Sequence, residues 1–321
     1  MDVGLLGQVR AHCRAVAESA THIRINYDHI PSYVSSLPLE QVARPEHEPR
    51  SHYLGHGHDT VAFFLTLDTI NFGSGYFPHL HKHPGLSGYF TIAASLTAYF
   101  AEHGPMPAET LAQLTAEDCA WIFGQDLGNA PIHELMHLFS TALNDLGQYL
   151  LARFDGSFVR LVEAATCSAE RLVGLLIKMP YFNDVATYGE LEVPFYKRAQ
   201  ISAADLAIAL NGQGHGYFTD LHQLTMFADN LVPHVLRLDG ILQYEHDLAE
   251  HIDREELIPA GSAEEVEIRA CALHAVELLG TELRRSGLEV PPMQLDYVLW
   301  NRGQQPYYKA RPRHRTRTVY Y

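Results

Sequence analysis

The chain has 321 residues, 47% of them apolar and 19% charged, with 23 glycines and 17 prolines. That excludes a disordered or collagen-like polymer and is enough to bury a large core without covalent staples. The formal charge is −15, yet the stretch from Lys309 to Arg317 holds Lys309, Arg311, Arg313, Arg315 and Arg317 and no acid; so acidic a body repels a nucleic-acid polymer but tolerates a small phosphorylated ligand gripped by a few local cations.

The longest apolar runs, 61–67 and 172–177, fall far short of the ~20 residues that span a bilayer. The start MDVGLLGQVR has no basic segment followed by an apolar core, so the expected location is the cytoplasm, with no membrane partner. Cys13, Cys119, Cys167 and Cys271 are scattered singly without a CxxC, which speaks against a zinc ribbon or redox pair and for buried, reduced thiols.

In chain order, residues 3–20 carry Leu5, Val9, Val16 and Ala17 at helical intervals. Residues 31–60, rich in proline and histidine, read as a loop or loosely held arm. Residues 61–67 fit a short strand or a buried helical turn, and NFGSGYFP must be irregular. Helices are expected over 88–103, 107–114, 115–123, 132–153 and 157–177, then a brief hairpin over 185–196. A helix at 198–211 leads through the glycine turn NGQGHG into a helix at 219–228, with further helices over 235–242 and 244–251. Ser262-x-x-Glu265 forms a capping box that opens a helix running to Leu279. One short helix and an extended basic tail (309–321) close the chain. The expectation is a single, mainly helical (all-α) domain over 1–321, with an N-terminal arm of about sixty residues.

Twenty histidines invite a metal reading. His133-Glu134-Leu135-Met136-His137 is an HExxH on a predicted helix, the arrangement by which zinc peptidases hold a metal and activate water. No third histidine follows at the extended spacing; Glu163 is the distant alternative. His79, His81 and His83, and His56 and His58, alternate in loops without a defined further ligand. The preferred expectation is that no metal and no cofactor is bound.

The segment 194–240 carries more chemistry. Lys197 and Arg198 follow a non-helical approach to a helix, a place that a phosphate prefers, with Arg237 a weaker candidate. Asp229, at a helix boundary before a proline, suits either an N-cap or a catalytic carboxylate. Helix, glycine turn and helix followed by an aspartate resemble the helix–hairpin–helix DNA glycosylases, in which an aspartate so placed assists breakage of an N-glycosidic bond.

A closer resemblance covers nearly the whole chain. LDTINF (67–72), SGYFTIAASL (87–96), PFYKRAQI (194–201), GQGHGYFTDLHQLTMFADNLVPHVLR (212–237), ELIPAGSAEEVEIRA (256–270), DYVLW (296–300) and HRTRTVYY (314–321) are similar to the queuosine salvage family, the queuosine 5′-phosphate N-glycosylases. That resemblance implies an all-α, glycosylase-like fold and release of the base queuine from queuosine 5′-monophosphate, with no stable binding of a nucleic-acid polymer. HELMH falls where the family has an ordinary helix.

N-glycoside cleavage passes through an oxocarbenium-like sugar that a carboxylate stabilises and water captures. Asp229 is the first candidate for that task and Asp296 the second, the latter also able to read the donor groups of the base. Asp68 and Asn71 share a helix face at i, i+3. Phe72 and Phe227 offer stacking surfaces, and Tyr297 and Trp300 of DYVLW join the substrate-binding set. Two other classes remain open: a zinc peptidase using HELMH, and a non-catalytic nucleic-acid-binding module using the hairpin and the basic tail.

Overall fold

The computed structural model describes residues 4–39 and 45–321. Helix α1 (Leu5–Ser19), strand β1 (Ile23–Ile25) and helix α2 (Ile30–Ser36) open the chain. Then come α3 (His58–Thr69), α4 (Gly88–His103), α5 (Ala108–Leu111), α6 (Ala116–Phe123), α7 (Ala130–Phe154), α8 (Phe158–Ala164) and α9 (Ala169–Leu176). The hairpin of β2 (Val185–Tyr188) and β3 (Leu191–Pro194) leads into α10 (Lys197–Ala209). The order finishes with α11 (Leu231–Leu238), β4 (Leu242–Tyr244), α12 (His246–Asp253), α13 (Ala263–Arg285), α14 (Pro292–Gly303) and α15 (Pro306–Lys309). The two small sheets pair β1 with β4 and β2 with β3, both antiparallel. The protein is mainly helical, as the sequence implies, and no helix among the described residues is long and apolar enough to cross a membrane.

Two long helices organise the packing. Around α13 lie α1, α2, α11 and α14; around α7 lie α3, α5, α6 and α8; α10 joins the groups by packing on α3 and α9. One continuous apolar core runs from Leu6 to Tyr308. The ambiguous run 61–67 resolves as the buried helix α3, in which Thr66 and Thr69 return their hydroxyls to the carbonyls of Ala62 and Leu65, both at 2.7 Å. Burial on all sides erases the amphipathic period, which is why the sequence pattern could not decide between helix and strand.

Several boundaries differ from expectation. The arm contains α2 and the first turn of α3, and residues 40–44 lie outside the described part. The helix expected over 157–177 breaks into α8 and α9 at Thr166 and Cys167, which take positive φ of 49° and 58°. Ser262 caps α13 by accepting from the Glu265 N–H, but Glu265 Oε2 accepts from Gly261 N rather than completing the box, and the helix continues to Arg285. Residues 235–242 divide between the end of α11 and β4.

The largest departure is 219–228, which forms no α-helix. Its backbone groups and side chains are claimed by tertiary partners. Asp220 caps α9 through Ser168 Oγ and the Ala169 and Glu170 N–H groups. Thr225 N donates to Gln200 Oε1 at 2.9 Å, Phe227 N to Asp296 Oδ1 at 3.0 Å, and the Ala228 carbonyl accepts from Arg269 Nε at 3.0 Å. With these groups engaged across the fold, the i→i−4 ladder cannot form, so the helix–hairpin–helix element is not present as expected.

The basic tail is woven into the body. Gly73 N donates to the Tyr321 carbonyl at 3.0 Å and Ile258 N to that of Arg315 at 2.8 Å. Arg315 pairs with Glu255 at 2.6 Å and Arg317 with Glu134 at 3.5 Å. A methyl group on Gly75 would stand 2.3 Å from the Thr316 carbonyl oxygen, so only glycine admits the tail there.

Beneath these segments lies a buried ion pair. Arg269 of α13 donates from Nη1 to Asp184 Oδ1 at 3.0 Å and from Nη2 to Asp184 Oδ2 at 2.5 Å, with its guanidinium 3.9 Å from the Phe195 ring centroid. Asp184 in turn accepts the Lys197 N–H at 3.2 Å on Oδ2, and its carbonyl takes the N–H groups of Phe195 and Tyr196. One pair thus fixes both the start of α10 and, through Ala228, the turn before α11. Asp184→Asn leaves the buried guanidinium with Glu265, 3.7 Å away, as its remaining anionic partner and is expected to cost about 3 kcal/mol in urea unfolding; a loss below about 1 kcal/mol would deny the pair this organising part.

Candidate active site

The segments anchored by that pair bring four carboxylates around one lysine. Asp68 arrives from the last turn of α3, Lys197 and Asp205 from α10, Asp229 from the turn before α11, and Asp296 from α14. Lys197 follows Tyr196, held at a positive φ of 48°. Asp68, Lys197, Asp205 and Asp296 are all buried, while Asp229 is half-buried. Burial pushes the Lys197 ammonium down from its ordinary range, against the pull of Asp229, Asp68 and Asp296.

The two oxygens of Asp229 have different surroundings. Oδ1 accepts the Leu231 and Val232 N–H groups at 2.8 and 3.1 Å, so this side chain caps α11. Oδ2 makes no hydrogen bond with the described residues. Asp296 accepts from Phe227 N, and burial followed by the nearby Asp229 charge raises its carboxyl well above the usual range. Asp68 is raised in the same direction by burial and then by Asp205. Both Asp68 oxygens are sealed from solvent and make no hydrogen bond of normal geometry, with Ser202 and Asn71 the donors facing them. Asp205 accepts from Tyr297 Oη at 3.1 Å and is raised to about 6, chiefly by burial.

The remaining expected residues separate. Asn71 directs its carbonyl toward Lys197 Nζ at 3.5 Å. Arg198 is buried and spends its guanidinium on the carbonyls of Asp68, Thr69, Tyr181 and Val319, between the rings of Phe72 and Phe182; burial lowers it to about 9. Its two terminal nitrogens lock the tail to α3, and its remaining donor, Nε, is buried rather than turned to a ligand. Arg237 is engaged by Asp253 at 3.1 Å and lies over the Tyr244 ring. Phe72 is wedged edge-on against Phe139 and Tyr181 as core, not as a stacking wall. Phe227 is buried beside Asp296 through its backbone. Trp300 meets Tyr89 and Phe90 edge-on at 6.4 and 6.0 Å.

Four participants went unread in the sequence. Asp205 looks like an ordinary helix position, and Tyr89 like core. His47 and His52 come from the arm: His47 Nε2 lies 3.2 Å from the Asp205 carbonyl, and His52 bridges the Glu48 carbonyl and Tyr89 Oη, both at 2.9 Å. His52 stacks on Phe64 at 5.8 Å. Burial lowers both imidazoles to about 4, with His47 adding to the shift of His52. The one available signal was PEHEPRSHY itself, a loop too rich in histidine to be mere spacer.

HELMH stays apart from this cluster. His133 and His137 are exposed, and Glu134 accepts from Tyr76 Oη at 2.9 Å and faces Arg317. Glu163 is 3.3 Å from His215. Among the described residues no group of three or more His, Cys, Asp or Glu side chains is arranged to hold a metal ion.

Fold and cluster define a mainly helical protein with a buried carboxylate–lysine centre, an arrangement suited to answering positive charge that develops on a substrate. The chain belongs to the queuosine salvage protein family, which it matches over residues 51–321. It is similar to the queuosine 5′-phosphate N-glycosylase/hydrolase of Sphaerobacter thermophilus, with 38% identity over 314 residues covering 96% of each chain. Proteins of the same name from Dictyostelium discoideum (35% over 266 residues, 82% of this chain and 78% of the relative) and Mus musculus (34% over 247 residues, 73% and 72%) are also similar.

The arm histidines give the cluster a pH signature. A histidine whose folded pKa falls to about 4 from 6.5 leaves the unfolded chain binding more protons between those values, so its contribution to stability is lost as pH falls through that window. Asp205, raised to about 6, acts oppositely, losing stability as pH rises toward 6. For His52 the loss between pH 6.5 and 5 is roughly 2 kcal/mol. In His52→Gln the drop in melting temperature from pH 7 to pH 5 should therefore be smaller than in the wild type; an equal or larger drop would contradict the assignment.

Proposed function

We propose that this chain hydrolyses the N-glycosidic bond of queuosine 5′-phosphate and releases queuine, with Asp229 as the central catalytic group. The observation that carries the reading is the divided carboxylate: one oxygen is anchored on two backbone N–H groups, and the other is unengaged beside Lys197 and Asp296. An anchored carboxylate needs no reorganisation when positive charge appears on the anomeric carbon, and this is where electrostatic stabilisation is most effective. The C1′–N9 bond breaks with its electron pair passing to the base. Water then adds to C1′ and gives its proton to Asp229.

The leaving base needs acid help, and a 7-deazaguanine has carbon where guanine offers N7. Protonation must therefore reach N3 or O6. Asp296, whose raised pKa keeps a proton available, is the donor in this scheme. The Asp68 carboxyl, sealed from solvent with Ser202 and Asn71 facing it, supports the Lys197 ammonium from behind the reacting groups. Lys197 balances the surrounding carboxylates and steadies their geometry. The substrate is the free nucleotide and not a polymer, in keeping with the charge of −15, and the cytoplasm is the setting we assign.

Asp229→Asn retains an oxygen able to cap α11, so folding should be preserved. Queuine release from queuosine 5′-phosphate is expected to fall about 10³-fold with the melting temperature close to wild type. Full activity in this variant would sink the proposal.

A further inference from the structure

Asp229 is held through its chain neighbours as well as through its own capping bonds. On one side the Ala228 carbonyl accepts from Arg269 Nε at 3.0 Å. On the other, Asn230 donates from Nδ2 to the His314 carbonyl at 3.3 Å and to Ser74 Oγ at 3.1 Å. Such ties keep a carboxylate oxygen in one place only if the groups that make them are themselves fixed.

Two of those groups, Arg269 and His314, meet at one side chain. The Arg269 guanidinium lies against the rings of Phe195 and Tyr321, 3.9 and 4.8 Å from their centroids. Tyr321 Oη stands 3.4 Å from His314 Nε2, and the two rings are inclined at 66°. Glu265, 3.7 Å from Arg269 Nη1, faces the same hydroxyl. All four side chains are buried. Burial, and then the Glu265 charge, push the Tyr321 pKa well up, so its hydroxyl keeps a proton to donate to that carboxylate. Burial lowers His314 to about 3, which leaves a neutral imidazole whose Nε2–H the same oxygen accepts. A buried network satisfied in this way specifies one arrangement of the groups it joins.

We propose that Tyr321 is a positioning residue for the hydrolysis: its ring braces Arg269 and its hydroxyl braces His314, so that the residues before and after Asp229 are held in one register. This rests on the hydrolase reading above. Tyr321 acts through those two side chains on the Asp229 turn and not on the substrate.

The test uses Tyr321→Phe, which keeps the ring and removes the hydroxyl, and Tyr321→Leu, which removes both. With queuosine 5′-phosphate, Tyr321→Phe should lose about tenfold in kcat with KM within about twofold, and Tyr321→Leu about 100-fold. Placed on Asp229→Asn, Tyr321→Phe should cost less than about twofold more, because the group it positions is already gone. Hydrogen exchange at the Leu231 and Val232 amides, which Asp229 caps, should quicken about tenfold in Tyr321→Phe while α4 keeps its wild-type rates. An unchanged kcat in Tyr321→Phe, or the same tenfold loss on top of Asp229→Asn, would overturn the assignment. A wild type that releases no queuine would defeat the hydrolase reading. Exchange at the two amides would then still decide whether Tyr321 holds the turn, wild-type rates in Tyr321→Phe rejecting it.

Discussion

The Arg269–Asp184 pair is the constraint on which the rest of the molecule turns. Both groups are buried, and taking two charges out of water is repaid only when geometry and further hydrogen bonds are good. Here the guanidinium makes two bonds to the carboxylate and one to the Ala228 carbonyl, and lies over an aromatic ring, while Asp184 holds the first N–H of α10. The interaction ties the hairpin, the start of α10 and the turn before α11 to α13, beside contacts such as Tyr188 with Glu267 and Thr225 with Gln200. A hydrophobic substitute of similar volume would fill the space but could not direct Lys197 and Asp229 toward each other.

Around this support the protein accepts an expensive arrangement. Asp68 and Asp296 are buried acids displaced upward, Lys197 is a buried base displaced downward, and Asp68 has two oxygens with no hydrogen bond. Unpaired buried polar atoms destabilise a fold unless something else receives them. Strained backbone at Tyr196 adds to the cost. The convergence of several buried carboxylates on one buried lysine, each displaced from its ordinary pKa range, is the strongest structural argument for where the chemistry takes place.

The sequence was legible where local physics decides the outcome. Helix α4 has the expected limits, the hairpin near 185–196 is present, and Ser262 caps α13. Asp229, Lys197, Asp68 and Asp296 stand out through a helix boundary, a helix start, an i, i+3 pair and the family resemblance, and the structure brings these four side chains together. Illegible features were those fixed by distant partners. Residues 219–228 have helical composition, yet Asp296, Gln200 and Arg269 claim their backbone. Arg198 and Arg237 have a charge suited to phosphate, but whether a guanidinium is spoken for depends on carbonyls and acids far along the chain. His47 and His52 lie in a segment without periodicity, so nothing local revealed that they fold onto α3 and α10.

One feature of the tail bears on how the molecule comes together in time. Gly73 bonds to Tyr321, Arg198 to Val319 and Asn230 to His314, so each wall of the cluster waits for the last segment to dock. Synthesised from its amino end, the chain builds α3 and α10 long before their closing partner emerges. Contacts of such sequence separation form late because loop closure must precede them. The cluster is therefore complete only where residues 314–321 close on α3, α10 and the turn before α11.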